Sequence, residues 1–239
     1  MKTLAKLAVL WFVLLVGCST PAANVGVPDR VPAQFLDVRS VALTAWSNEL
    51  EAYRNFCAGT WIAQDVIVTA NHCVDSTDTV MFAQPQQFPD LMTVHPTSAF
   101  DGTVIARSIE ADVALVRANN YAPHEVASLG SVNRGDQISI MGSPRGRPFV
   151  YSVGYVMGFY RMDLLEGSLM AELLGISGRP IDMVVVEGYV FFGSSGGGAF
   201  NANGELIGVA DLLFRDDRSA YFVPAGEIKR LADEAFVAL

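Results

Sequence analysis

Three short segments carry residue types that could work together in acyl transfer. In chain order they are Val68-Thr69-Ala70-Asn71-His72-Cys73, Asp112-Val113-Ala114-Leu115 and Gly193-Ser194-Ser195-Gly196-Gly197. A serine hydroxyl attacks a carbonyl only when a base removes its proton. A histidine suits that task near neutral pH, and a carboxylate beside it fixes the tautomer and stabilises the imidazolium. Glycines around Ser195 let the backbone turn so that the amides of Gly193 and Ser195 face a developing oxyanion. Each segment alone has a plainer reading: a structural histidine, a solvated aspartate at a strand end, a glycine-rich loop. The order His, Asp, Ser, each in its own context, is what makes them a set.

In these segments the chain resembles the trypsin/chymotrypsin-like serine peptidases. Thr69-Ala70-Asn71-His72-Cys73 is similar to the family's T-A-x-H-C. Asp112-Val113-Ala114-Leu115 is similar to D-[IV]-A-L, and Gly193 to Gly197 to G-[DN]-S-G-G except at its second place. The resemblance is closest to bacterial HtrA-type protease domains, with Gly135-Asp136-Gln137 to Gly142-Ser143-Pro144 and Tyr221-Phe222-Val223-Pro224 as further matches and no stretch left over for a PDZ module. It implies two six-stranded antiparallel β-barrels with the triad between them, a polypeptide substrate and no cofactor. It implies that His72 is the general base, Asp112 its orienting carboxylate and Ser195 the nucleophile. It also implies a disulfide between Cys57 and Cys73. Ser194 replaces the aspartate that digestive members pair with a new N-terminal amine, so activation by cleavage is not implied.

By the same matching, Tyr189, Val190, Phe191 and Phe192 border the substrate pocket, and Asp211, Leu212 and Leu213 stand on its wall. No acid falls at the matching pocket floor, so small or medium apolar side chains are the expected substrate residues. Asp211 falls beside the catalytic carboxylate, where two like charges would raise one pKa. The expectation is that Asp211 turns outward or that the register differs by one residue. Asp101, Asp136 and Asp211 are rival third members behind Asp112, and Ser194 is a rival nucleophile by adjacency. Two other functions share these residues: a trypsin-fold binding protein that has lost catalysis, and a triad esterase. The latter usually carries its G-x-S-x-G elbow on an α/β-hydrolase sheet, and that sheet context is missing here.

The elements that must position these residues read as all-β. Trp61-Ile62, Val66 to Thr69, Thr103 to Ala106, Val113 to Val116 and Gln137 to Ile140 are short β-branched or alternating runs. Further strands are expected at Val150–Gly158, Met183–Tyr189, Gly198–Phe200, Glu205–Leu213 and Ala220–Val223, with a hairpin turn at Asn203-Gly204. Many short strands with frequent turns mean a barrel or sandwich. Residues 118–136 are the expected link between barrels spanning about 35–125 and 126–225. From Glu227 to Leu239 apolar residues recur every three or four positions, which predicts a C-terminal amphipathic helix over about 226–239 packed on the barrel through Ile228, Leu231, Phe236 and Leu239.

The 239 residues carry 25 acids against 16 bases and are 51% hydrophobic. That composition excludes a disordered chain, and a net charge of −9 argues against nucleic acid as a partner. His95 and His124 have no ligand-spaced partners, so no metal site is expected. The stretch 161–180 holds several leucines between two strands and reads as a packed insertion, with a lid, an interface or a membrane-facing flap as alternatives. Lys2 and Lys6 precede the apolar run Leu7 to Val16, which is too short to cross a bilayer. The run ends Leu15-Val16-Gly17-Cys18 and resembles the lipobox of bacterial lipoproteins. Residues 1–17 are then a signal, Cys18 carries the lipid that anchors the chain to a membrane, and 18–34, with three prolines, is a tether.

Overall fold

The computed structural model describes residues 31–84, 93–94, 99–123, 125–166, 178–214 and 219–239. The expected signal, Cys18, most of the tether, His95, His124 and residues 167–177 lie outside these, as do the side chains of Leu212 and Leu213. Among the described residues a short helix, α1 (Ala33–Asp37), leads into thirteen strands. The first group is β1 (Ser40–Ser47), β2 (Ala52–Ala63), β3 (Val66–Ala70), β4 (Thr79–Ala83), β5 (Thr93–Val94), β6 (Phe100–Ser108) and β7 (Val113–Ala118). They run in the order β1-β4-β6-β7-β3-β2, and β1 pairs back onto β2 to close six strands, with β5 added beside β2.

The second barrel is β8 (Gln137–Gly142), β9 (Val150–Met162), β10 (Ile181–Glu187), β11 (Gly198–Phe200), β12 (Leu206–Phe214) and β13 (Ser219–Pro224). It closes in the order β10-β13-β12-β11-β8-β9. The fold is therefore two closed six-stranded antiparallel barrels followed by one helix. The sequence patterns missed β1, β4 and most of β2. In β1 the polar Ser40 and Thr44 are as buried as the apolar Val41 to Leu43 between them, and in β2 the polar Asn55 and Thr60 are buried too, so neither an apolar run nor alternation marks these two strands.

Two strands explain how the barrels meet. Val66 and Val68 of β3, and Val113 and Leu115 of β7, join one core with Met141, Met183, Phe200, Val209 and Val223 of the second barrel. The alternating residues Ile67, Ala114 and Val116 point instead into the first barrel, against Trp61 and Phe82. Both faces of these strands are covered, so they read as unbroken apolar runs rather than as alternation. A strand pair that faces the other barrel also ends at the crevice between the two. That is where His72 and Asp112 follow and precede it.

The C-terminal helix, α2 (Ala225–Glu234), is shorter than its sequence pattern. Ile228 and Leu231 are buried as expected, but Phe236 and Leu239 are exposed. The cause is a left-handed residue at Phe236 (φ 56°). The Val237 amide then reaches back to the Ala232 carbonyl (2.9 Å) and the Phe236 amide to the Asp233 carbonyl (3.2 Å). This is the double hydrogen bond that ends many helices, here without the usual glycine. Val237 packs into the core and Phe236 is thrown outward.

Cys57 of β2 and Cys73 form the disulfide, closing a loop of sequence separation 16. A loop of that size contributes about 3 kcal/mol by restricting the unfolded chain. It also ties the turn that carries His72 to the strand that receives the Ser195 loop.

Candidate active site

The register of β3 against β7 pairs Thr69 with Ala114 and Ala70 with Val113. One step further along the ladder, Asn71 must therefore meet Asp112. The Asn71 amide donates to the Asp112 carbonyl (2.9 Å), and the His72 amide donates to Asp112 Oδ1 (2.8 Å). Asp112 itself is left-handed (φ 47°), a conformation that Asp adopts more readily than most residues. This turn aims the second carboxylate oxygen at His72 Nδ1, with which it shares a short hydrogen bond. That bond is the largest influence raising the His72 pKa above its ordinary 6.5. Burial opposes it, and the charges of Asp112 and Asp75 add to it.

Ser195 comes from the second barrel, on the loop between β10 and β11. Its carbonyl accepts from the Ala58 amide of β2 (2.8 Å), a hydrogen bond that crosses between the barrels. The Gly196 amide donates to the Ala210 carbonyl, and the Ala210 amide to the Gly197 carbonyl, both at 2.8 Å. Gly193 and Gly196 are both left-handed, at φ 94° and 78°. A methyl group on Gly196 would sit 2.2 Å from Thr69 Oγ1 and 2.3 Å from the Ala58 carbonyl. Only glycine lets the loop lie this close to the first barrel. Among the described residues, the amides of Gly193 and Ser195 have no hydrogen-bond acceptor.

Ser195, His72, Asp112 and Asp211 line one cleft of about 860 Å³. Ser194 does not line it and is buried, its hydroxyl facing the Phe191 amide (3.5 Å). Adjacency alone made it a rival to Ser195, and the turn separates the two. Asp101 bonds Asn119 Nδ2 (2.7 Å) on the first barrel, and Asp136 caps its own loop at the Asn133 amide (2.7 Å). Neither lines the cleft.

Asp211 departs from expectation. It does not turn outward: its side chain is 3% exposed and Oδ1 lies 3.9 Å from His72 Nδ1. The reason is a bulge in β12. Ala210 pairs with Phe222 and Leu212 with Tyr221, so Asp211 is the extra residue between them. Bulges re-aim a side chain and are common beside active sites. Burial, then the Asp112 charge and a hydrogen bond with Asp112, hold its carboxyl well above the usual range.

Of the expected pocket residues, Val190, Phe191, Phe192 and Asp211 line the cleft. Tyr189 does not; it is exposed and packs edge-on against Phe191 (centroids 4.8 Å apart). Leu212 and Leu213 continue β12, beyond which nothing is described of their side chains. The structure adds residues that sequence reasoning did not single out. Ile109, on the turn before Asp112, and Met162, Asp163, Leu164 and Glu166, at the end of β9, form further walls. For the last four the only sequence signal was membership of the leucine-rich stretch at 161–180, and for Ile109 there was none. That stretch is in part a wall of the site rather than solely a packed insertion. Arg145 stacks 4.5 Å over the Phe191 ring, and its amide donates to the Phe192 carbonyl (2.7 Å), bracing the loop before Ser195.

The profile of the trypsin-like peptidase domain matches residues 57–209, which include all three segments. The chain belongs to the trypsin-like peptidase family. This family domain is 24% identical over 181 residues to "Putative protease Do-like 14" of Arabidopsis thaliana, covering 74% of the chain and 40% of that protein. It is 22% identical over 183 residues to "Periplasmic serine endoprotease DegP" of Salmonella typhimurium, covering 72% and 33%. The chain thus spans between a third and two-fifths of the length of these curated relatives. Among solved structures it is similar to the active form of the Rv3671c protease from M. tuberculosis. The TM-score is 0.69 at 18% identity, over 87% of this chain and 86% of that one. That likeness speaks for the fold.

Proposed function

We propose that this chain is a serine endopeptidase, exported and held at a membrane by a lipid on Cys18. The observation that carries the catalytic part is the single cleft in which Ser195 of one barrel meets the His72–Asp112 pair of the other. Ser195 Oγ attacks the peptide carbonyl while His72 Nε2 takes its proton. The Asp112 carboxylate keeps the remaining proton on Nδ1 and stabilises the imidazolium. The amides of Gly193 and Ser195 hold the oxyanion. His72 then gives its proton to the leaving amine, the amine departs, and an acyl-enzyme remains on Ser195. Water, deprotonated by His72, attacks this ester and regenerates the serine.

Membership of the peptidase family and the names of the relatives support peptide-bond hydrolysis as the reaction. The periplasmic relative supports export, and the lipobox-like Gly17-Cys18 supports the anchor. On this reading residues 1–17 are removed, 18–34 tether, and 35–239 form the peptidase unit.

A fluorophosphonate probe is expected to label the wild-type chain and not Ser195→Ala, and casein hydrolysis is expected to fall about a million-fold in that variant. Because the base works neutral and its pKa is raised, the labelling rate should climb with pH through a midpoint above 6.5. A folded chain that does not label would be a binding protein on this fold. A chain that labels and cleaves esters but not casein would be an esterase. Incorporation of radiolabelled palmitate, expected in the full chain expressed in bacteria and lost in Cys18→Ser, tests the anchor.

A further inference from the structure

Asp112 and Asp211 are both acceptors when ionised, yet they are packed together against one imidazole. One oxygen of each and a nitrogen of His72 lie within 4.8 Å of one another. Asp211 is almost wholly buried, and its Oδ2 has no hydrogen-bond partner among the described residues. The titratable groups that face it are His72, on the turn after β3, and Asp112, at the head of β7. Asp75 acts on His72 from the cleft wall. Neither lysine nor arginine lines the cleft among the described residues. Two carboxylates in such a site cannot both keep their charge at moderate pH, because desolvation and mutual repulsion add. One proton relieves both. It turns one acid into a donor and supplies the hydrogen bond that two bare carboxylates lack.

We infer that Asp211 is a positioning residue which, as the neutral acid, donates its proton to Asp112 and holds the carboxylate that orients His72. The proton resides on Asp211 because Asp112 already accepts from two donors, the His72 amide and Nδ1. Both oxygens of Asp112 are thereby engaged as acceptors, whereas Asp211 accepts from no donor among the described residues and its side chain is the more deeply buried, 3% exposed against 17%. The bulge in β12 is the device that delivers it, since regular pairing would place residue 211 opposite a partner on β13 instead. The inference rests on the serine peptidase reading for its consequence in catalysis but not for its chemistry.

The test therefore has one readout that needs no activity. The His72 imidazole is titrated by 15N NMR in the wild type and in Asp211→Asn. A neutral Asp211 means that the amide changes little in charge, so the His72 midpoint is expected to move by less than about 0.3 pH units. An ionised Asp211, 3.9 Å from Nδ1, would instead be holding that midpoint up. A fall of about one unit or more in the variant overturns the inference. The second readout is the rate of fluorophosphonate labelling. Asp211→Ala is expected to slow it about tenfold by letting Asp112 swing, and Asp211→Asn, whose amide still donates to Asp112, to restore it to within about threefold of wild type. An alanine variant as fast as wild type, with an unchanged thermal midpoint, also overturns the inference. If the wild type itself does not label, the peptidase reading fails while the titration still decides the state of Asp211.

Discussion

Asp112→Asn is expected to slow fluorophosphonate labelling and casein hydrolysis about ten-thousand-fold while leaving the thermal midpoint nearly unchanged. The backbone explains the second half of that statement. Asp112 sits at φ 47°, and asparagine is one of the few other residues that tolerates the left-handed region. Its carbonyl still accepts from the Asn71 amide, and a side-chain oxygen can still accept from the His72 amide. The chemistry explains the first half. With the amide nitrogen turned toward Nδ1, the imidazole must accept there and so carries its proton on Nε2, facing Ser195. In that tautomer it cannot take the serine proton. The variant should also lower the His72 midpoint, because the hydrogen bond from Asp112 is the largest influence raising it. A variant with more than about a tenth of wild-type rate would show that Asp112 is not the orienting group. Asp211, 3.9 Å from the same nitrogen, would then be the one to examine.

Gly196→Ala is expected to damage stability and site together. The left-handed backbone at φ 78° costs an alanine about 1–2 kcal/mol. The added methyl meets Thr69 Oγ1 at 2.2 Å, the Ala58 carbonyl at 2.3 Å and the Ala70 amide at 2.8 Å. These neighbours are two backbone groups and a buried hydroxyl that already donates to the Ala58 carbonyl (2.7 Å), so none can swing aside. Overpacking of this kind costs about 1–3 kcal/mol, giving about 2–5 kcal/mol in all. In a domain of this size that lowers the thermal midpoint by at least roughly 4 °C, measured by calorimetry. The loop is pushed off the first barrel, so the Ala58–Ser195 hydrogen bond lengthens and labelling falls as well. Gly226→Ala in α2 is the control. Nothing lies within 4 Å of its new methyl, and a helical Gly→Ala change should stabilise by about 0.5–1 kcal/mol. Equal midpoints for the two variants would mean that Gly196 is not packed as described.

Much of the site was legible because its chemistry sits on local patterns. Thr69 to Cys73, Asp112 to Leu115 and Gly193 to Gly197 each combine a functional residue with the strand or turn that presents it. Their unbroken apolar runs reflect strands buried on both sides. Pairing across distance was not legible. No local pattern announced β1 or β4, which pair with each other at Ala42 and Ala83 across the length of β2 and β3. The walls at Ile109 and at 162–166 reach the cleft only because the barrels pack face to face.

Asp211 marks the boundary most sharply. The sequence alone determined the family, the barrel class, the order of the three catalytic candidates and the nearness of a second carboxylate. The order of the candidates follows from residue types at short spacing, and the rest is what the resemblance of those motifs to the peptidase family implies. Whether Asp211 faces solvent or His72 depends on one extra residue in the β12–β13 ladder, and a shift of one position moves a side chain to the other face of a strand. Register is a property of the pair of strands rather than of either one. It was decided by the packing of two barrels around a common core, which seats Ala210 against the Ser195 loop and leaves the next side chain nowhere to point but under the histidine.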